Sequence, residues 1–351
     1  MSTGISIEEL QLAARNHGMP LEALQHEITP LGLHYLLVHY DIPVVDPATW
    51  RLAIDGRVGT PLRLTLDDLK AREAVTAPIT MECAGNGRAL LEPRPVSQPW
   101  LAEAVGTAEW TGVPLASLLA EAGIQDGAVE VVFTGLDRGV EGGVEQLYER
   151  SLTLDEALRE DVLLAYACNG VPLPPQHGFP LRLLVPGWYG MTSVKWLQRI
   201  TVVDGPFTGY QMITGYRLRS ETGEPGTPVT RIEPRSLLMP PGIPDFMSRR
   251  RFAPPGRHRL QGRAWSGWGP IERVDVSSDG GATWQPAALG EPLGPAAWAS
   301  FTYDWDATEG EHVLCARARD ATGRSQPDVP PWNAGGYANN AIQRIPVTVR
   351  A

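Results

Sequence analysis

Apolar and polar positions alternate along this chain in short runs whose period changes from one to the next. In residues 6–16, SIEELQLAARN, Leu10, Ala13 and Ala14 fall at helical spacing behind a Ser6 N-cap, with Glu9 three places on and Gly18 as the stop, which predicts a short amphipathic helix. Residues 31–43 are aromatic and β-branched, and residues 50–58 (WRLAIDGRV) alternate as a half-buried strand does. A brief helix is expected over 64–72, another over 115–123 ending at Gly123, a strand over 129–137, a helix over 152–160 and a strand over 179–187 closed by Pro and Gly. That mixture predicts an α+β first domain.

Over residues 222–244, TGEPGTPVTRIEPRSLLMPPGIP, the prolines predict an extended connector rather than a core element. The boundary is placed there, giving a catalytic-type domain at 1–225 and a second domain at 226–351. Helical signals then stop. Residues 259–267, 271–289, 298–307, 312–320 and 342–350 read as strands joined by turns such as Ser278-Asp279-Gly280-Gly281, the pattern of an immunoglobulin-like β-sandwich. Trp265 and Trp284 are expected in its core, and Cys315 as a small buried hydrophobe.

Composition narrows the function classes. A length of 351 residues suggests two domains, and 37 Gly and 32 Pro without a period suggest loops and strands. A formal charge of -10 argues against nucleic-acid or anionic-membrane partners, so an anionic substrate would need locally placed arginines. Three cysteines, Cys83, Cys168 and Cys315, form neither a disulfide framework nor a zinc-finger pattern. The opening MSTGISIEEL has no basic, apolar or twin-arginine leader, and no stretch approaches the roughly 20 apolar residues of a membrane span. A cytoplasmic location is expected, or a periplasmic one if a leader has been removed.

Two segments concentrate chemistry. Residues 81–88, MECAGNGR, put a thiol among small residues just after a strand-like run, where a backbone can approach a bulky ligand; nucleophile, metal ligand and plain packing all remain open for Cys83. His177 and Arg182, then Ser193, Val194 and Lys195, gather imidazole, guanidinium and ammonium donors suited to a phosphate, with a solvated strand edge as the alternative. Cys168, in ACNGVP, is not expected to be a ligand.

CAGNGR, the GLD at 135–137, residues 163–197, GRAWSGWG, VDVSSDGGATW and PPWN together resemble the sulfite oxidase family of molybdopterin enzymes, which the assimilatory nitrate reductases share. The resemblance runs from about residue 29 to the C-terminus. It implies a mixed α+β cofactor domain, an immunoglobulin-like domain that pairs two copies and a molybdenum-molybdopterin cofactor; no haem-binding segment is read in the sequence, so no haem is expected. Carried over residue by residue, it makes Cys83 the thiolate ligand of molybdenum, His177, Arg182 and Lys195 the holders of the pterin phosphate, and Asp137, His39, Tyr40, Ser193 and Val194 further cofactor contacts. Tyr148 becomes the active-site tyrosine, while Arg88 and Trp100 match substrate-pocket residues.

The same resemblance exposes departures. His39 and Gly335 stand where the family's sulfite oxidisers carry arginines, each worth roughly 1.5 to 3 kcal/mol as a charge-assisted contact. His39, with an ordinary pKa near 6.5, is expected to restore charge in mild acid, so that sulfite affinity weakens as pH rises. The implied reaction is oxidation of sulfite to sulfate with electrons passed to an external acceptor such as a cytochrome. Rival readings are a same-fold enzyme acting on another oxyanion or S-oxide, a cysteine hydrolase, and a non-enzymatic immunoglobulin-type binding protein.

Overall fold

The structure is a computed structural model and describes residues 4–351. It is built mainly of strands, with a few short helices. Helix α1 (Ile7–Arg15) starts where Ser6 and Glu9 cap it reciprocally, Glu9 N donating to Ser6 Oγ at 3.2 Å and Ser6 N to Glu9 Oε2 at 2.9 Å. The aromatic run at 31–43 is no sheet strand. After a 3-10 turn (Leu31–Leu33) it runs irregularly, tied to residue 17 by His17 N→Leu36 O at 3.2 Å and Leu36 N→His17 O at 2.8 Å. His34, Tyr35 and His39 line a cavity instead of facing a neighbouring strand, so aromatic and β-branched composition here does not mark a strand.

Strands β1 (Leu52–Gly56) and β2 (Leu62–Leu64), helix α2 (Leu66–Lys70), strands β3 (Val75–Glu82) and β4 (Val105–Pro114) and helix α3 (Leu115–Ala122) follow. Then come β5 (Glu130–Glu141), β6 (Val144–Thr153), the single turn α4 (Leu154–Ala157), β7 (Leu163–Cys168), β8 (Val171–Pro172), β9 (Arg182–Leu184) and β10 (Leu197–Val203). One sheet has the order β2-β1-β10-β5-β6, with β1 and β10 parallel (Ile54 opposite Ile200). A second runs β3-β4-β7-β8, with β9 also on β7. Helix α3 buries Leu115, Leu118, Leu119 and Ala122, one face at i, i+3, i+4 and i+7, against Leu52, Ile54, Phe133 and Ile200. Each such aliphatic or aromatic side chain contributes roughly 1.5 to 3 kcal/mol by leaving water.

The proline-rich stretch departs from the expected connector. Helix α5 (Tyr210–Ile213) and the hairpin of β11 (Arg217–Leu218) with β12 (Thr227–Pro228) lead into β13 (Arg235–Leu238), all four of whose residues are buried. A core strand therefore lies inside residues read as linker, because four apolar-edged positions between prolines carry too little pattern to mark a strand. The remaining strands are β14 (Ile243–Pro244), β15 (Arg251–Ala253), β16 (Gly256–Trp265), β17 (Ile271–Ser277), β18 (Gln285–Pro286), β19 (Ala288–Leu289), β20 (Ala299–Ala307), β21 (Gly310–Asp320) and β22 (Arg344–Val349). They form a sandwich of β13-β16-β20-β19 on β14-β15-β22-β21-β17-β18, with Leu260, Val274, Phe301, Leu314 and Val347 between the sheets. Cys315 is buried there, whereas Trp284 is only half-buried and lies beneath the Arg317 guanidinium at 4.4 Å, outside the core expected for it.

The two halves share a core. Met19, Ala84, Tyr189 and Tyr216 pack with Leu237, Trp265 and Trp298. Backbone bonds cross as well, Thr80 N donating to Ala296 O at 2.8 Å and Ala338 N to Ala84 O at 2.8 Å.

Candidate functional site

Strand β3 ends at Glu82, opposite Val105 of β4, and the next residue is Cys83. Cys83 N donates to Ala104 O at 2.9 Å, and Asn86 N and Arg88 N close turns on Cys83 O and Gly85 O, each at 3.0 Å. Gly87 takes φ +85°, and a Cβ there would fall 2.8 Å from Asn339 Nδ2. Gly85 leaves room for Arg88, whose Nη1 would be 2.6 Å from a Cβ at that position. The glycines thus let the loop carry a thiol on one side and a folded-back guanidinium on the other.

Cys83, His39 and Tyr216 stand at the junction of two cavities, lining both. The first, of about 590 Å³, is walled further by His34, Asp137, His177, Arg182, Ser193 and Lys195. The second, of about 630 Å³, is walled by Arg88, Gln98, Trp100 and Tyr337.

The first cavity is basic and incompletely satisfied. Arg182 is buried; it donates to His177 O at 3.1 Å and Ser193 O at 3.3 Å, and its Nε has no partner. Lys195 Nζ donates to Leu37 O at 2.7 Å and Gln176 O at 3.1 Å. Asp137 Oδ1 and His34 Nε2 are buried without partners. Burial pushes His177 down to about 2 and His34 to about 4, with Arg182 adding repulsion in both, and it pushes Arg182 itself down to about 10. Burial and the nearby Arg182 also lower Lys195, while burial raises Asp137. Several buried bases facing one carboxylate call for an anion, and unpaired Arg182 Nε and Asp137 Oδ1 supply a donor and an acceptor for it. A pterin phosphate with its polar ring edges fits that set.

On the metal side, burial raises the Cys83 thiol, while Arg88, the Gly85 amide and the Trp100 indole favour the thiolate. The Trp100 Nε1 is buried and makes no other hydrogen bond. Arg88 is held by Nε→Gly335 O at 3.0 Å and Nη1→Gln98 O at 3.1 Å, with its Cζ 5.2 Å from the Tyr337 ring centre. Position 335 therefore gives Arg88 a carbonyl in place of a second guanidinium. A Cβ there would meet Tyr337 Cε2 at 2.3 Å, so Tyr337 fills the space a side chain at 335 would need.

Residues 39–211 match the oxidoreductase molybdopterin binding domain, and residues 236–350 the Mo-co oxidoreductase dimerisation domain. The chain is 37% identical to sulfite oxidase of Gallus gallus over 346 residues, 93% of this chain and 74% of that protein. It belongs to the sulfite oxidase family of molybdenum-cofactor oxidoreductases. Nitrate reductase [NADH] 1 of Oryza sativa subsp. japonica is 32% identical over 94% of this chain, which spans only 39% of that longer protein. Within the family, the sulfane dehydrogenase SoxCD structure from Paracoccus pantotrophus superposes with a TM-score of 0.81 at 29% identity, covering 95% of this chain and 86% of that one.

Against the family expectations, the structure gathers Cys83, Asp137, His177, Arg182, Ser193 and Lys195 around the first cavity and Arg88 and Trp100 around the second. Three residues are placed otherwise. Val194 is fully buried in the core beside Leu197 and Leu183, without a place in the cavity wall. Tyr40 is turned away, its hydroxyl donating to Glu141 Oε2 at 2.8 Å. Tyr148 lines the first cavity, but its hydroxyl donates to Met191 O at 2.7 Å and its ring stacks on His39 at 4.7 Å.

The phenol at the junction is Tyr216, hydrogen-bonded to His39 Nε2 and held at φ +49°, a backbone region that costs a non-glycine residue energy. It lies in the stretch just before the predicted linker, where Phe207 and Tyr210 also stand and no local pattern singles it out. His39 also departs from expectation. Desolvation, then Lys195 and Arg88, push it down to about 3, so it is neutral in mild acid rather than a replacement charge. His34, Tyr337 and the buried Arg150 were likewise missed; Arg150 had a signal, being two residues from Tyr148 on one face of a strand.

Proposed function

We propose that this enzyme oxidises sulfite to sulfate, with water supplying the added oxygen and two electrons and two protons leaving, the electrons to an external acceptor such as a cytochrome. One observation carries the reading: Cys83 stands where a basic cavity walled by His177, Arg182 and Lys195 meets a second cavity that presents Arg88 and Trp100. Supporting it, the chain is 37% identical to a sulfite oxidase over most of its length.

When bound, the molybdenum cofactor supplies the two-electron redox chemistry and the oxygen exchange. His177, Arg182 and Lys195 would hold the phosphate, Asp137, His34 and Ser193 the pterin's polar edges, and Cys83 the metal. Arg88 neutralises the oxyanion from a position already fixed by two carbonyls, so little reorganisation accompanies binding. Tyr216, with His39 on its hydroxyl, offers a proton donor or acceptor at the junction. Trp100 and Tyr337 keep bulk water from the pocket. Two copies of the chain would pair through the C-terminal domain.

A second reading, reduction of nitrate or an S-oxide, draws on the uncharged residues at positions 39 and 335 and on the likeness to a plant nitrate reductase. Protein purified from a cofactor-competent host should contain molybdenum and turn over sulfite in preference to nitrate and sulfoxides, and Cys83→Ser should lower turnover to background. Metal-free protein from such a host, or full turnover by Cys83→Ser, would overturn the reading; preference for nitrate or a sulfoxide would replace sulfite.

A further inference from the structure

The missing arginines leave a question of charge, and the wall behind Tyr216 answers it. Arg150, on β6, is 2% exposed, yet it makes no ion pair among the described residues. Its Nη1 donates to the Gln211 carbonyl, its Nε is buried without a partner, and phenols surround it: Tyr148, Tyr216 and Tyr337. A buried guanidinium with no counter-anion is costly, and chains rarely retain one for packing alone.

Its surroundings form a stack. The Arg150 Cζ lies 5.6 Å from the Tyr216 ring centre, the Tyr216 and Tyr337 ring centres are 5.2 Å apart, and the Arg88 Cζ lies 5.2 Å from the Tyr337 ring centre. Each phenol of the pair thus carries a cation against its ring, and both rings line the cavity that holds Cys83. Like charges so placed repel, the low-dielectric wall screens neither, and an anion in the cavity that the rings line attracts both.

From this we infer that Arg150 supplies the positive charge that positions 39 and 335 lack, a positioning residue that holds a sulfur oxyanion in the Cys83 pocket by acting through the Tyr216 ring. A cation against the ring face also makes the Tyr216 hydroxyl a stronger hydrogen-bond donor. The inference rests on the proposed oxyanion substrate and adds to it the residue that sets affinity.

Sulfate, the unreactive product, is the probe, titrated calorimetrically into the holoenzyme. Arg150→Met should weaken sulfate binding and raise the KM for sulfite, each roughly 3- to 30-fold as expected for a partly desolvated cation lost from a ring face, with kcat falling much less. The melting temperature should hold or rise, because an unpaired buried charge has gone; a merely structural role predicts the reverse. Arg150→Lys should recover most of the affinity. Arg150→Gln, which can still donate to the Gln211 carbonyl, serves if the methionine variant does not fold. Sulfate binding within twofold of wild type in the neutral variants, or equal losses in the Lys and Gln variants, would overturn the role of Arg150 while leaving sulfite oxidation standing. Wild-type enzyme that neither binds sulfate nor oxidises sulfite would overturn the substrate reading and this inference with it.

Discussion

Arg235 Nε lies 3.2 Å from Glu82 Oε1, an ion pair buried from both sides that joins the second domain to the residue preceding Cys83. Glu82 also accepts from Trp265 Nε1 at 2.7 Å and from Asn86 Nδ2 at 2.9 Å, so one carboxylate ties the cysteine loop to two strands of the sandwich. Burial still raises the Glu82 pKa against the pull of Arg235, which shows desolvation outweighing attraction. The pair's value is therefore in fixing geometry.

Removing one partner leaves the other charge buried alone. Arg235→Met is expected to cost about 3 to 5 kcal/mol in unfolding free energy and to loosen the Cys83 loop, seen as faster alkylation of Cys83 in metal-free protein. A denaturation midpoint equal to wild type would refute the role of the pair.

The phosphate cradle makes a second expectation. Arg182 forks onto His177 O and Ser193 O and keeps Nε free for a ligand, a geometry lysine cannot copy. Arg182→Lys should therefore retain about 10- to 100-fold less cofactor affinity, measured as pterin remaining after gel filtration, and Arg182→Met should retain less again. Equal retention in all three proteins would remove Arg182 from the cradle.

How much of this was legible beforehand depends on how contiguous the chemistry is. Cys83 and Arg88 share one loop, and His177, Arg182, Ser193 and Lys195 share another short segment, so composition marked both as candidates and the family resemblance gave them roles. Tyr216 and Tyr337 reach the pocket from a hairpin and from the second domain, and no local pattern links residues so far apart. Tyr148 came from the family resemblance, whereas hydroxyl direction is set by tertiary partners such as Met191 O, and Tyr216 had no such pointer. Val194 and Tyr40 stand in sequence beside residues that line the cavity: on extended backbone adjacent side chains point to opposite sides, and one residue's displacement turns a wall residue into a core one.

Enclosure by Tyr148 and Tyr216 holds His39 neutral down to about 3. Its titration lies far below the working range, so the KM for sulfite should show no step between about pH 5.5 and 7.5 that His39→Gln abolishes. Steady-state kinetics of both proteins across that range checks this; a step near pH 6.5 confined to the wild type would restore His39 as the charge.

His34 gives the opposite kind of signal, in stability. Its Nδ1 lies 3.0 Å from Tyr35 O, its ring meets His177 edge-on at 5.9 Å, and burial holds it neutral until about pH 4, against 6.5 for the ordinary group. Because the folded pKa lies below the unfolded one, the stabilisation is complete above 6.5 and is lost as pH falls through 4, about 3 kcal/mol in all. His177, depressed further by burial and by His34, adds to the loss in the same sense. Metal-free protein should accordingly show denaturant midpoints that fall across this window, and His34→Gln should flatten part of the descent. If the variant's midpoints fall as steeply as the wild type's, the acid sensitivity belongs to other groups and His34 is not held neutral by its burial.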